Sequence, residues 1–312
     1  MKPATSDLPH NRSSAFFSAE GDFSERFKKS IDLWTTAVLN DDGIIHPIKS
    51  KSNFINSKII VKENGIFAGK EIIERVCNYW TPDLELRWNF SDGLPVLNGD
   101  ILVEIMGDET QLLKIERPLL NIIGRLSGIA TTTNNWIKHS SVPIASTRKT
   151  TWGLLDKWAV FLGGGMTHRL DRNDALMLKE NDLAAQYPKL NSKKRIKQAL
   201  HSLEIENSGA FIIIEVRNEM EAMTAAQTWD SLNMKHKSLT IMLDNIPPSK
   251  CNEIIVSIRK LNLDCEVIFE ASGGITFENL DIWKKSFVDV ISTSSIHRGT
   301  KPLDISLLFE EA

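Results

Sequence analysis

The feature that most constrains the fold is an alternation, from residue 143 onward, of short apolar runs with amphipathic helical patterns. We interpret seven runs as strands: VPIAST, AVFLGGG, DALMLKE, FIIIEV, TIMLD, VIFEAS and VDVIST. Helical patterns such as SKKRIKQALHSLE, PSKCNEIIVSIRKL and FENLDIWKKS lie between several of them. Continuous apolar strands joined by helices are typical of a parallel sheet covered on both faces. About seven such units favour closure into a barrel or partial barrel.

The preceding part of the chain mixes helix and strand. FSERFKKSIDLWTTAVLN predicts a helix capped by Ser24, and short strands separated by Asn-Gly and Asp-Gly turns follow it. We interpret residues 24–115 as one α/β domain and expect residues 1–23 to form a flexible tail. A helix with an apolar stripe follows, for which Pro118 suits the first position. Gly124 and Gly128, one turn apart on it, would let another element approach closely.

Composition excludes several classes of protein. The 312 residues carry a formal net charge of −3, which argues against a nucleic-acid binder that works through a general basic field. The three cysteines have no CxxC spacing, which argues against a structural zinc site or a disulfide scaffold. The polar first residues lack a signal-peptide pattern, and no apolar run approaches the ~18 residues of a membrane span. We expect a cytoplasmic protein.

Charged and small polar residues stand where the predicted strands end. They are Arg148, Lys149, His168, Arg169, Lys179, Glu215, Asp244, Ser272, Gly273 and Gly274. The carboxyl ends of parallel strands meet at one edge, where the active sites of α/β barrels form. Cations gathered at one edge repel each other unless anions neutralise them, so the sequence predicts a site for a polyanion.

The two acids allow two interpretations. Glu215 and Asp244, on neighbouring strands, suit a hard cation such as Mg²⁺, or they could hold ribose hydroxyls. The glycines of ASGGIT resemble a phosphate cradle before a helix. Arg117 is expected at a helix start, where the helix dipole disfavours a cation. A bound anion would resolve that conflict, and a salt bridge to Glu116 or Glu109 would do so equally well.

Six motifs occur in an order that resembles the quinolinate phosphoribosyltransferase family, also called carboxylating nicotinate-nucleotide diphosphorylase. They are ERPLLNIIGRLSGIATTT, STRKTTWGLLDKWAVFLGGGMTHRL, DALMLKEN, IMLDN, EASGGIT and KPLDISL, and the likeness covers roughly residues 58–308. The resemblance implies an N-terminal α/β sandwich domain, 24–115, joined by the C-terminal segment 297–312. An incomplete parallel α/β barrel, 116–296, would carry the phosphoribosyltransferase site. It also implies a homodimer or a higher oligomer, with shared active sites and no nucleic-acid or membrane partner.

The implied reaction joins quinolinate and phosphoribosyl pyrophosphate, with Mg²⁺, to give nicotinate mononucleotide, CO₂ and pyrophosphate in NAD biosynthesis. By motif position, the pyridine dicarboxylate would be held by Arg148, His168, Arg169 and Lys179, with Arg117 from the neighbouring subunit. The resemblance implies that Lys149 contacts the substrate or pyrophosphate and that Glu215 and Asp244 face the ribose and metal. The residues on the 5′-phosphate side would be Ser272, Gly273, Gly274 and Ser294. It implies catalytic roles for Lys149, Lys179, Glu215 and Asp244.

The sequence departs from the family pattern around the predicted pocket. The departures are Trp152 for the usual Pro, Asp171 and Arg172 after HRL, Glu180 and Asp182 in the KDNH motif, Ile213 and Arg217 near the strand acid, and Ser294 and Arg298 in the last loop. The N-terminal GDLT segment is not recognisable. Two alternatives therefore stay open: a paralogue that transfers phosphoribosyl to a different aromatic acid, and a non-catalytic homologue that senses a nucleotide.

Overall fold

A computed structural model describes residues 8–234 and 237–309. Contacts divide the chain into two compact units. The antiparallel unit comprises Ser13–Asn135, Lys149–Gly165 and the chain from Ile296 onward. The parallel unit comprises the chain up to Arg12, Trp136–Arg148 and Met166–Ser295.

The antiparallel unit is built on a four-stranded sheet with strand order β12-β1-β5-β3. Its strands and helices are α1 (Glu25–Asp41), β1 (Phe54–Val61), β2 (Gly65–Ile66), α2 (Lys70–Trp80), β3 (Leu84–Trp88), β4 (Pro95–Val96), β5 (Ile101–Asp108), most of α3 (Glu109–His139), α4 (Leu154–Leu162) and β12 (Ile305–Phe309). The hydroxyl of Ser24 accepts a hydrogen bond from the backbone N–H of Phe27, so the predicted cap of α1 is confirmed. Strand β12, from the end of the chain, pairs with β1.

The parallel unit contains a six-stranded sheet with order β6-β11-β10-β9-β8-β7. Its elements are β6 (Ile144–Ser146), β7 (Leu176–Leu178), α5 (Glu180–Gln186), α6 (Ser192–His201), β8 (Ile212–Val216), α7 (Glu219–Ser231), β9 (Leu239–Asp244), α8 (Pro248–Arg259), β10 (Val267–Ser272) and β11 (Val290–Thr293). All pairings are parallel, and the central strands are buried almost throughout. Among the described strands, β6 and β7 do not pair, so the sheet is the predicted incomplete barrel.

Two predicted elements are wrong. The apolar run AVFLGGG supplies the last four residues of helix α4 and the turn after it and forms no strand, because a short apolar run has no period that separates strand from helix. Six strands remain in place of seven. The pattern FENLDIWKKS yields only a single 3-10 turn at Leu280–Trp283.

Helix α3 begins earlier than its sequence pattern indicates. Glu109 is its first residue, and Pro118 lies inside it and not at its start. The predicted close approach at its two glycines is confirmed: the backbone N–H of Leu303 donates to the carbonyl of Gly124 at 2.8 Å. A methyl group on Gly128 would overlap the carbonyl of Lys301.

The expectation of a flexible tail over residues 1–23 does not hold for residues 8–23. Leu8 and His10 are buried in the parallel unit, and Phe16 is buried in the antiparallel unit against Phe27 and Trp158. The sequence did not reveal these few buried side chains because most residues around them in the chain are polar. Residues 1–7 lie outside the described residues. No described helix is long and apolar enough to cross a bilayer.

The unit boundary expected at residues 115/116 differs from the observed one, whereas the boundary expected at 296/297 lies one residue from the observed 295/296. Residues 116–135 and 149–165 have their contacts in the antiparallel unit, because α3 and α4 pack there.

Candidate active site

The residues predicted at strand ends in the parallel unit do lie at the carboxyl edge of one sheet. Arg148 follows β6 by two residues, and Lys179 directly follows β7. Glu215 lies at the end of β8, Asp244 ends β9 and Ser272 ends β10, where Asp244 and Ser272 are register partners. Because every strand runs in the same direction, these side chains belong to a single edge.

The cations of the TRK segment are both exposed. Arg148 is the last residue of its stretch of the parallel unit, and Lys149, the next residue, is counted with the antiparallel unit. Lys149 is therefore adjacent to the edge through its peptide bond to Arg148.

His168 lies in the loop that connects α4 to β7. Its backbone φ is +52°, a left-handed conformation that costs a non-glycine residue about 1 kcal/mol or more. Its Nδ1 accepts a hydrogen bond from the backbone N–H of Arg169 at 2.8 Å. Its Nε2 lies 3.0 and 3.1 Å from the two carboxylate oxygens of Glu270. We therefore assign His168 as the neutral Nε2–H tautomer, with both ring nitrogens engaged inside the protein.

Glu270 is fully buried and also lies 3.0 Å from Nε2 of His10. Burial by itself would raise the pKa of Glu270, but the electrostatic attraction of His168 and hydrogen bonds from His10 and His168 lower it well below its ordinary value. A buried carboxylate requires such donors, since without them it would not stay charged. Glu270 thus fixes both histidine rings.

Arg169 carries a guanidinium that is almost wholly buried. It donates to two neutral acceptors, the carbonyl of Ala175 at 3.1 Å and Sδ of Met177 at 3.3 Å. Burial, and repulsion from Arg148 and Arg172, lower the pKa of Arg169. Within the described part of the chain, no carboxylate lies within 4.0 Å of this guanidinium. It is a buried cation without an ion-pair partner, which is the arrangement that an anionic ligand would complete.

Two ion pairs join the ends of β7 and β8. Nζ of Lys179 lies 2.6 Å from the carboxylate of Glu215, and the guanidinium of Arg217 lies 2.6 Å from that of Glu180. Glu180 and Arg217, two of the departures from the family pattern, are therefore paired with each other. The Lys179 side chain keeps 47% of its surface exposed, so its pair with Glu215 opens at little cost.

The SGG segment forms a cradle after β10. Gly273 and Gly274 have φ of +93° and +62°, and any side chain on Gly273 would overlap Asn245. The side-chain amide of Asn279, just before the 3-10 turn at Leu280–Trp283, donates to the carbonyl of Gly274 at 2.9 Å and so holds the segment in place. Ser294, directly after β11, lies between Thr293 and Ser295, whose hydroxyls both donate to the carbonyl of Ile275.

The predicted metal ligands have oxygen donors suited to Mg²⁺. Glu215 and Asp244 end neighbouring strands, with Glu215 level with Met242, two residues before Asp244. The Asp244 carboxylate accepts a hydrogen bond from the Asn245 amide, and Glu215 is paired with Lys179. Two carboxylates at the ends of neighbouring strands fit a cation that takes one or two carboxylates and completes its shell with substrate oxygens.

Arg117 belongs to the antiparallel unit, and the reasoning that singled it out is wrong. Because α3 begins at Glu109, Arg117 lies in its third turn, where the dipole of the helix start does not act. Its side chain is 64% exposed, and its contact with Glu116, at 4.0 Å, is at the limit of an ion pair. The exposed cation remains available to a ligand.

Trp152 is also in the antiparallel unit. Its ring lies over the guanidinium of Arg125, with 4.9 Å between them, and its backbone N–H donates to the buried carboxylate of Asp156 at 3.1 Å. Asp156 also binds Arg125 at 2.9 Å. The side chain that replaces the usual proline is thus held by a cation–π contact.

The sequence analysis did not identify three residues that bond to His168 or to the loop around it: His10, Arg12 and Glu270. The histidine and the arginine lie in the segment expected to be a tail. Glu270 had a usable signal, because it is the only charged residue in the strand VIFEAS. A lone carboxylate in a strand buried on both faces needs a buried partner.

Comparison with known proteins agrees with this geometry. A model described as quinolinate phosphoribosyl transferase, N-terminal domain, matches residues 34–127, and one described as its C-terminal domain matches residues 129–308. A probable carboxylating nicotinate-nucleotide pyrophosphorylase of Bacillus subtilis (strain 168) is 35% identical over 257 residues, which are 80% of this chain and 82% of that protein. Its counterpart from Methanothermobacter thermautotrophicus is 31% identical, over 80% and 86% of the two chains.

Solved structures are similar as well. The crystal structure of NadC from Streptococcus pyogenes has a TM-score of 0.74 and 27% identity, and the match covers 91% of this chain and 99% of that one. Both the two-part match and the shared fold extend over the residues of the site. This chain belongs to the quinolinate phosphoribosyl transferase family.

Proposed function

We propose that this protein transfers the phosphoribosyl group of phosphoribosyl pyrophosphate to the ring nitrogen of quinolinate and removes one carboxylate as CO₂. The products are nicotinate mononucleotide and pyrophosphate, and the reaction is a step of NAD biosynthesis. Membership in the family and the names of the relatives support this enzymatic activity.

The single observation that supports a dicarboxylate substrate is Arg169. Its guanidinium is buried, repelled by neighbouring cations and bonded to neutral acceptors. A carboxylate of quinolinate would supply the missing counter-charge through paired N–H···O bonds. Arg148, at the same edge, would hold the second carboxylate. His168 would act from behind Arg169, since both of its ring nitrogens are already engaged.

Catalysis would consist mainly of positioning and charge stabilisation. The lone pair of the ring nitrogen forms the bond to ribose C1 as the bond from C1 to pyrophosphate oxygen breaks. Loss of CO₂ then leaves an electron pair at C2, next to the cationic ring nitrogen, and a proton completes nicotinate. Lys149 and Lys179 would stabilise the negative charge on pyrophosphate and the carbanion that forms at C2.

The Lys179–Glu215 pair suggests how the site changes on binding. An anionic substrate would draw Nζ of Lys179 away from Glu215, which leaves that carboxylate available for the ribose hydroxyls together with Asp244. Bound Mg²⁺ would supply positive charge to the pyrophosphate, and Glu215 and Asp244 are the residues that would hold it, directly or through water. Ser272, Gly273, Gly274 and Ser294 would receive the 5′-phosphate.

A homodimer with shared sites is part of the proposal, and the exposed Arg117 supports it. Inactive Arg117→Ala and inactive Lys179→Ala subunits, mixed and re-associated, should form hybrid dimers with one site that has both residues. Partial recovery of activity is expected. Hybrid dimers verified by mass that stay inactive would show that each site is built from one chain.

The direct test is to incubate the protein with quinolinate, phosphoribosyl pyrophosphate and Mg²⁺ and to follow nicotinate mononucleotide by mass spectrometry. Arg169→Ala should abolish product formation, and Lys193→Ala, an exposed lysine on α6, should leave it unchanged. Product from quinolinate but not from nicotinate is the expected result. Binding of phosphoribosyl pyrophosphate without product would contradict quinolinate as the acceptor.

The alternative is transfer to a different aromatic acid; the names of the relatives do not favour it, and Trp152 is the departure from the family pattern through which it can be tested. Its ring is held over Arg125 in a position where the family pattern has proline. Trp152→Pro should then lower turnover with the true acceptor and raise turnover with quinolinate. A non-catalytic, nucleotide-sensing role would require ligand binding with no turnover of any aromatic acid.

A further inference from the structure

The segment of residues 8–12, here called the N-terminal strap, is packed into the parallel unit although it precedes the family match, which begins at residue 34. Leu8 is buried in an apolar cluster with Ala145, Met166, Ile268 and Val290. Farther along the strap, His10 and Arg12 make polar bonds to the rest of the parallel unit. This arrangement gives the segment a fixed path and not merely a surface contact.

The strap binds both sides of the loop 167–174, which carries Arg169. The backbone N–H of Arg12 donates to Oγ1 of Thr167 at 2.8 Å, just before the two site residues. Its guanidinium donates to Asp174 at 3.1 Å, just after them. Asp174 also accepts the backbone N–H of Leu170 at 2.8 Å. Arg12 therefore joins the start of the loop to its end.

His10 is connected to the same loop through Glu270, a residue of strand β10. Its Nε2 lies 3.0 Å from Oε2 of Glu270, whose two oxygens also bind Nε2 of His168. The two imidazole rings meet edge to face, with centroids 5.0 Å apart, and both contact Phe211. Because Nδ1 of His168 accepts the backbone N–H of Arg169, the chain of bonds runs from His10 through Glu270 and His168 to Arg169.

The same three side chains could be considered as a metal site, since their ligand atoms lie within 4.8 Å of one another. The hydrogen bond from Arg169 to His168 argues against it. If Nε2 of His168 bound a metal while Nδ1 accepted a hydrogen bond, the ring would have no proton left. Two neutral Nε2–H tautomers that donate to Glu270 satisfy the carboxylate without that cost, and leave Nδ1 of His10 as the only ring nitrogen of the pair without a partner among the described residues.

We propose that the N-terminal strap is a positioning element of the active site: His10, through Glu270 and His168, and Arg12, through Thr167 and Asp174, hold Arg169 in the orientation that binds the substrate carboxylate. His10 would thus be a positioning residue that makes no contact with the substrate. Its loss would leave Glu270 with one donor. The carboxylate could then shift, and the tautomer of His168 would no longer be fixed, so Nδ1 would not be kept as the acceptor of the N–H of Arg169.

The test compares three variants of the full chain. His10→Phe keeps the ring and removes the donor, His10→Gln keeps an N–H donor, and His201→Phe is the matched control at an exposed histidine of α6. In the wild type, long-range ¹H–¹⁵N spectra should show His168 protonated at Nε2 only. In His10→Phe that signature should be lost, and the amides of residues 167–174 should exchange faster. His10→Gln and His201→Phe should resemble the wild type.

The kinetic readout rests on the proposed function. Loss of one buried hydrogen bond is worth about 1 kcal/mol, so His10→Phe should raise KM for quinolinate about five- to tenfold. KM for phosphoribosyl pyrophosphate should change less than about twofold, and His10→Gln should restore most of the loss. Urea unfolding verifies that each variant is folded.

The outcomes separate the two proposals. Unchanged His168 spectra, unchanged exchange and unchanged KM in a folded His10→Phe would overturn the positioning role and leave the proposed function intact. If the wild type does not turn over quinolinate, the spectra and the exchange still decide whether the strap orders the loop. Stoichiometric Zn²⁺ that is retained by the wild type and lost in His10→Phe would also overturn the proposal, in favour of a metal site.

Discussion

The parallel unit contains two charged networks that differ in one physical respect, their contact with water. Glu270 and its two histidines are buried, and every bond among them is enclosed by the protein. The Lys179–Glu215 and Arg217–Glu180 pairs lie at the sheet edge, and three of their four side chains are 41–49% exposed, with Glu215 at 13%. The hydrogen-bond distances are similar in the two networks, from 2.6 to 3.1 Å.

The comparison teaches that distance does not decide what an ion pair does. A buried carboxylate that loses its donors cannot recover them from water, so the network acts as a rigid support. An exposed pair exchanges its partner for water or for a ligand at a cost of about 1 kcal/mol or less. We therefore assign support to the first network and ligand exchange to the second.

The largest effect is expected from Glu270→Ala, which leaves two buried histidines without their acceptor. The free energy of unfolding should fall by about 3–5 kcal/mol, measured by urea denaturation. Glu266→Ala, an exposed acid just before the same strand, should change it by no more than about 0.5 kcal/mol. Equal, small losses in both variants would show that the buried network does not support the fold.

A smaller, pH-dependent effect should distinguish the same carboxylate. The pKa of Glu270 is lowered in the folded protein, so the carboxylate contributes stability that is present above its ordinary pKa of 4.5 and is lost as the pH falls below it. The stability difference between wild type and Glu270→Gln should therefore stay constant down to about pH 5 and shrink as the pH is lowered further, toward about pH 3. Unfolding followed at fixed pH values measures it, and a difference independent of pH would contradict the assignment.

Lys179→Ala should separate stability from activity. The free energy of unfolding should change by about 1 kcal/mol or less because the Lys179 side chain is 47% exposed, whereas kcat should fall about 100-fold as a charge that stabilises the transition state is lost. Lys193→Ala is the control for removing an exposed lysine. Wild-type turnover in Lys179→Ala would mean that this lysine is only a surface charge.

The smallest effect is expected at the Arg217–Glu180 pair. A double-mutant cycle with Arg217→Ala and Glu180→Ala should give a coupling energy of about 0.2–1 kcal/mol at low salt. In 1 M NaCl the coupling should nearly vanish, since screening then acts within about 3 Å. A coupling energy above about 2 kcal/mol that persists in 1 M NaCl would show that this pair behaves like the buried network, and would contradict the distinction between the two.

Much of the site was predictable from sequence because strand ends in a parallel sheet meet at one edge. Their placement at this edge followed as soon as the apolar runs were taken as strands of one sheet, and this applies to Arg148, Lys179, Glu215, Asp244 and Ser272. The prediction of a strand at AVFLGGG was wrong, yet His168 and Arg169, which follow this run, were still predicted as site residues. Their place in the order of motifs did not depend on whether the preceding element was a strand or a helix.

By itself, the sequence determined the class of fold, the family and the anionic character of the ligand, because these follow from periodicity, motif order and the spacing of charges along the chain. Only the tertiary structure decided how those charges are used. It assigned both nitrogens of His168 to internal bonds, paired Glu180 with Arg217 and placed His10 against Glu270, 260 residues further along the chain. Contacts between such distant residues depend on how separate elements pack, and no local pattern encodes them.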